Sequence, residues 1–331
     1  MYLPHTYAVA LLFMIGSMLC WGSWANTMKL CPGYKFQLFY WDYVIGLVLG
    51  ILALGFTLGS AGSAGRPFWQ DVTHAPQYSV LMAAVGGAVF NVANLLLVAA
   101  IEIAGLAVAF PVGIGLALIV GALSNYIIEP KGNPLLLFGG IALVTVAIVC
   151  DSLAYKSRER AREGGNLRGV VISLISGVLM GSFYPLVSKA MIVPDAPGPY
   201  ATALFFVIGT VLCAVPVNYL LMRKPIDGGS PVRMSGYAAA SARWHLAGII
   251  GGVIWVIGTT LNFVASRVNF VGPAISYSIG QGATMVSAFW GVFIWREFAN
   301  PSARVRNLLI AMFVCFIVGL ISVAVAPLFV G

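Results

Sequence analysis

The chain has 331 residues, of which 60% are hydrophobic and only 8% charged. So few charges cannot give a water-soluble globule its polar surface, which excludes the soluble classes. The net charge of +8 would suit a nucleic-acid partner, but the basic residues gather in alternate short connections, so charge reports orientation instead.

Ten apolar stretches approach the roughly 20 residues a bilayer core requires. They predict spans at 6–28, 39–61, 77–101, 105–128, 133–155, 168–192, 199–221, 244–266, 271–295 and 305–329. The expected fold is an all-α integral membrane protein of ten transmembrane helices, in contact with lipid along its length. The first stretch lacks a basic leader, and Trp21, Trp24 and Asn26 stand where a small-residue cleavage site would lie, so it reads as a retained helix.

Polar residues at membrane depth are costly and usually face a cavity. On the first span Trp21, Ala25 and Met28 share one face, while Asn26 and Lys29 lie three apart on an adjacent one. Lys29 either snorkels to the interface or serves a site. Asp42 opens the second span between Trp41 and Tyr43, within reach of Lys29 or Lys35. It reads as a reversible proton acceptor or as an interfacial anchor. The third span carries Asn91 and Asn94 on one face; they contact a solute or bridge helices. Glu102 after this span and Arg267 after the eighth read as interfacial.

The basic segment Lys156–Arg168 divides the chain into repeats of 1–155 and 169–331 joined by a cytoplasmic linker, 156–168. In the sixth span Tyr184 precedes Pro185, which breaks a backbone hydrogen bond, and Lys189 follows one turn later. A flexible connection is expected at 223–243. The eighth span holds Trp255, Thr259, Thr260 and Asn262, and the ninth sets Tyr277, Gln281 and Thr284 on one face. Aromatic surface with a few amides suits a sugar or heterocycle in an apolar cleft.

The five cysteines are scattered without a C-x-x-C pair, which suggests neither a disulfide framework nor a zinc site. No H-E-x-x-H, G-x-S-x-G triad or G-x-x-x-x-G-K-[ST] phosphate loop is present. The reading is therefore not an enzyme, with no cofactor or metal; uphill transport would draw on a gradient of H⁺ or Na⁺.

Fourteen Lys and Arg fall in connections after odd-numbered spans and four (Arg66, Lys131, Lys189, Arg267) after even-numbered ones. Cytoplasmic loops collect basic residues, which predicts both termini outside a cell's inner (cytoplasmic) membrane. The halves also echo each other. Val85–Gly115 and Ile250–Gly280 run in register at an offset of 165, pairing Gly86 with Gly251, Gly87 with Gly252 and Gly115 with Gly280. Gly22-Ser23-Trp24 answers Gly181-Ser182-Phe183. Duplicating five spans inverts the second copy, and inverted repeats place a substrate site between halves near the midplane.

These residues resemble the drug/metabolite transporter superfamily, and within it the bacterial sugar permeases of glucose-uptake and rhamnose-transport type and the ureide permeases. Trp21-Gly22-Ser23 with Lys29 is similar to the W-G-S…K opening of glucose-uptake permeases; Pro111 with Gly115 and Ser276-Tyr-Ser-Ile-Gly-Gln281 match further motifs. FNVANLLLVAAIEIAGLAVAF is similar to the third and fourth spans of ureide permeases. The resemblance implies proton- or cation-coupled import of a small polar solute, a sugar first, by a monomer or homodimer. A ureide or nucleobase-type permease, a metabolite exporter and a non-transporting membrane sensor are the alternatives. Site candidates are Trp21, Trp24, Asn26, Asn91, Asn94, Tyr184, Trp255, Thr259, Tyr277 and Gln281 for the solute. For coupling they are Asp42, Lys29 and Lys189.

Overall fold

The computed structural model describes residues 1–156, 167–226 and 228–329; the interior of the 156–168 linker lies outside them. α1 (Tyr7–Ser23), capped by Thr6, runs on into a tighter 3₁₀ segment, Trp24–Leu30. Then follow α2 (Phe36–Phe56), a short α3 (Phe68–His74), α4 (Gln77–Ala104), α5 (Leu106–Ile128) and α6 (Pro134–Lys156). Gly105, at φ 81°, is the sole residue between α4 and α5, a turn that a side chain would strain. The remainder comprises α7 (Leu167–Ala190), α8 (Pro199–Arg223), a four-residue α9 (Ser235–Ala238) and α10 (Ala242–Ser266). It ends with α11 (Gly272–Gly280), α12 (Ala283–Phe289) continuing as a π segment to Ile294, and α13 (Ala303–Val325).

Among the described residues nine helices are long and apolar enough to cross a membrane, and no strand occurs. The expected ninth span, 271–295, is the exception to continuity: a turn at Gln281–Gly282 separates α11 from α12. The second span also ends earlier than expected, at Phe56 rather than 61. Large apolar side chains such as Leu12, Leu212 and Val314 point outward, as lipid contact demands.

The helices meet in a definite pattern. α4 packs on α7 and α8, α10 packs on α1 and α2, and α6 packs on α13. Where α4 crosses α8, a Cβ on Gly87 would overlap the carbonyl of Phe206, and one on Gly209 that of Ala84. Where α10 crosses α2, a Cβ on Gly252 would overlap the carbonyl of Tyr43, and one on Gly46 that of Ile249. Small residues let membrane helices approach this closely.

One face of the bundle gathers residues 1–6, 57–76, 129–133, 191–198 and 267–271: Tyr2 N donates to Leu58 O (2.9 Å) and Gly198 N to Asp71 Oδ2 (2.6 Å). The opposite face gathers 24–35, 224–241 and 295–302, where Lys29 meets Glu297.

Candidate functional site

A cavity of about 250 Å³ extends from the middle of the helices toward the 24–35 face, among α1, α4, α5, α7, α10, the start of α2 and the broken α11–α12 run. α4 supplies Phe90, Asn94, Leu97, Val98 and Ile101, the i, i+4, i+7, i+8, i+11 spacing of a single helical face. Trp21, Trp24, Ala25 and Met28 come from α1 and its 3₁₀ extension, Trp255 from α10, and Gln281, Thr284 and Ser287 from the helix break and α12. Met28, Phe36 and Ile101 carry the lining toward the 24–35 face.

The walls are aromatic. Trp255 stacks on Phe90 (ring centroids 4.4 Å apart), Trp21 on Trp255 (6.1 Å), and Trp24 packs against Tyr43 (4.8 Å). Trp21 Nε1 donates to Thr259 Oγ1 (3.0 Å), fixing its ring. The polar groups facing in are few. The Asn94 Nδ2 amine is buried without a hydrogen-bond partner. Gln281 reaches the cavity from the helix break, and Thr284 donates to its carbonyl (3.0 Å). Among the described residues no ionisable side chain lines the cavity.

Beyond it, toward the other face, packing closes. Tyr184 OH donates to Asn262 Oδ1 (2.6 Å), Ser276 Oγ to the same oxygen (3.0 Å), and Asn262 Nδ2 to Ser17 Oγ (3.1 Å) and Ser276 O (3.0 Å). α1, α7, α10 and α11 are thereby tied together. Tyr277 OH donates to Ala117 O (3.1 Å), and a Cβ on Gly121 would clash with its ring. Ser188 Oγ donates to Asn125 Oδ1 (2.7 Å), joining α7 to α5.

Of the ten solute candidates, Trp21, Trp24, Asn94, Trp255 and Gln281 line the cavity. The other five do not. Asn91 faces α2 and α8, accepting from Tyr40 OH (2.8 Å) and donating to Cys213 Sγ (3.4 Å). Asn26 accepts from Trp295 Nε1 (2.6 Å). Tyr184 and Tyr277 belong to the closed layer, and Thr259 acts through Trp21. The sequence reading missed Phe90, Phe110, Met180 and Phe183, apolar residues that look like ordinary lipid-facing ones until a cavity gathers them. The spacing along α4 from Phe90 was the available signal.

The coupling candidates are apart from one another. Lys29 pairs with Glu297 (2.6 Å) and sits over the Trp295 ring, so the expected Lys29–Asp42 pair is not formed. The reason is the 3₁₀ segment: at three residues per turn it stacks Lys29 on Asn26, and both face the 295–297 segment. Asp42 is buried with three partners: Tyr34 OH (3.0 Å), Tyr237 OH (2.6 Å) and His245 Nδ1, 2.9 and 3.0 Å from its two oxygens. Burial, then the hydrogen bond and charge of Asp42, push the Tyr237 phenol up to about 12, and the same causes raise Tyr34 further. Lys189 is exposed near the opposite face, beside Ser182 and Pro185. Among the described residues no three His, Cys, Asp or Glu side chains lie close enough to hold a metal.

The family of Sugar transport proteins matches residues 12–326. Ureide permease 1 of Arabidopsis thaliana is 23% identical over 384 residues, covering 96% of this chain and 97% of the relative. Ureide permease 4 of the same plant is 22% identical, covering 96% of each. The glucose uptake protein GlcU of Bacillus subtilis (strain 168) is 24% identical over 235 residues, covering 70% of this chain and 71% of the relative. Among solved structures, one crystal structure superposes with a TM-score of 0.64 at 17% identity, over 95% of this chain and 97% of that one. That likeness concerns the fold.

Proposed function

The chain belongs to the Sugar transport protein family, and from that premise we propose that it is a secondary-active importer of a small neutral polar solute, a sugar first. It is a multi-pass membrane transporter. The observation carrying the finer reading is the cavity's chemistry: aromatic walls with Asn94 and Gln281 among them and, among the described residues, no charged side chain. A charged solute would be desolvated there without a counter-charge; a hydroxylated or amide-bearing neutral one finds ring faces and hydrogen bonds.

Alternating access by two inverted five-helix repeats is the mechanism we infer. The supporting contacts exchange between halves. Gly87 meets Phe206 as Gly252 meets Tyr43, and Gly209 meets Ala84 as Gly46 meets Ile249. Each residue of one crossing maps onto the other at the sequence offsets of 165 for α4 and α10 and 163 for α2 and α8. With the basic-rich 24–35 face in the cytoplasm, the cavity opens inward and the termini lie outside. An H⁺ or Na⁺ gradient supplies the work.

A ureide is the second reading, favoured by the near-complete coverage of the ureide permeases. Uptake of radiolabelled D-glucose, D-ribose and allantoin into liposomes containing the purified protein decides. Saturable uptake of a sugar is expected, uptake of allantoin alone favours the second reading, and uptake of none rejects both.

A further inference from the structure

Asp151 is the buried acid that the cavity's own chemistry leaves unexplained. It sits in α6, one turn before Tyr155, and is 7% exposed. Its Oδ1 atom is buried with no hydrogen-bond partner. Asp42, by contrast, has both oxygens bonded. A carboxylate in that state pays desolvation without compensation, and acids at membrane depth mark ion and proton paths.

The place it occupies is specific. Asp151 and Tyr155 line a small cavity of about 40 Å³ with Phe110, Thr284 and Ser287. The last three also line the main cavity. The space exceeds the roughly 10–15 Å³ that one water needs, and only the side chains of Phe110, Thr284 and Ser287, common to both linings, stand between a water there and the main cavity. Tyr155 OH donates to Glu297 Oε2 (2.7 Å), and Lys29 Nζ donates to Glu297 Oε1 (2.6 Å). Lys29 belongs to the 3₁₀ segment that presents Trp24 and Met28 to the main cavity. The acid's helix is thus linked through two side chains to a wall of the binding site.

We propose that Asp151 is the proton-binding carboxyl that couples proton movement to solute movement through the adjoining cavity. This rests on the transport reading above. In the step itself, a hydronium ion in the small cavity transfers its proton to the Asp151 carboxylate, leaving water and a neutral carboxyl. The new O–H donor replaces an uncompensated charge. The titratable groups nearest Asp151 are Glu297 from the segment before α13, itself paired with Lys29, and Cys150 and Tyr155 on its own helix, with Cys315 of α13 beside Cys150. Glu297 carries the like charge that a proton on Asp151 relieves. Loading takes place with the site open to the outside, and release of the proton to the cytoplasm, with the site open inward, completes one turnover.

Infrared spectroscopy and uptake together test this. Purified wild type, Asp151→Asn, Asp151→Glu and Asp42→Asn are compared in liposomes, with chromatographic profiles verifying that each is folded. Titration of the wild type should show a buried carboxylic C=O band that Asp151→Asn lacks and that Asp151→Glu shifts but keeps. Asp42→Asn should keep it unchanged. For whichever of D-glucose, D-ribose and allantoin is transported, a one-unit inward proton gradient should give about tenfold accumulation at one proton per solute. Asp151→Asn should equilibrate the solute yet still exchange it. An unchanged band in Asp151→Asn, wild-type accumulation by that variant, or accumulation driven by Na⁺ alone would overturn the assignment. If the wild type transports none of the probes, the transport reading fails while the band still decides whether Asp151 takes the proton.

Discussion

Toward the 24–35 face, a cavity lies between α1, α4 and the broken α11–α12 run, and Asn94, with its Nδ2 amine unbonded, and Gln281 line it. Toward the opposite face the same α1, α7, α10 and α11 are closed by Asn262, whose amide group meets Tyr184, Ser17 and Ser276. The helices are shared; the satisfaction of their polar groups is not. A buried amide with its bonds made rigidifies a contact, and one without them is poised for a ligand. The difference therefore separates a structural seal from the proposed binding surface within one bundle of helices.

The largest effect should come from breaking the seal. Asn262→Ala removes partners of Tyr184, Ser17 and Ser276, each unpaired group costing about 1–3 kcal/mol. The melting temperature of the detergent-solubilised protein should fall clearly; a wild-type melting curve would show that these bonds do not hold the closed end. Asn94→Ala sharpens the contrast from the other side. Thermal stability should be unchanged or higher, because an unpartnered amide is lost, while solute affinity weakens by roughly 5- to 150-fold. Equal losses of stability in both variants would erase the distinction between the two ends. Trp21→Phe keeps an aromatic wall against Trp255 but frees Thr259, so about 1 kcal/mol and a few-fold weaker binding are expected from titration. Lys189→Ala, on the exposed surface near the closed face, should leave uptake within error of wild type.

Much of this was legible in the sequence, because span length and apolarity are forced by the bilayer. The face shared by Trp21, Ala25 and Met28 does meet the cavity. The separate face of Asn26 and Lys29 turns away from it, to Trp295 and Glu297. Helical spacing could not rank Asn91 against Asn94: about 60° around α4 sends one to Tyr40 and the other to the cavity. Nor could it place Tyr184 and Tyr277 in a seal, since their partners Asn262 and Ala117 are distant in the chain. Asp151 reads as a span-end acid in sequence; its burial, and the small cavity it shares with residues of α12, arise only once α6 is packed on α5 and α13.

The claim that this cavity holds the solute is tested most directly by equilibrium binding to the double variant Asn94→Ala/Gln281→Ala. The probe is whichever of D-glucose, D-ribose and allantoin the wild type transports. Binding should weaken by at least about tenfold, with expression and melting temperature unchanged, since each lost amide contact is worth about 1–3 kcal/mol. Wild-type affinity in the folded double variant would contradict it and place the solute elsewhere in the bundle.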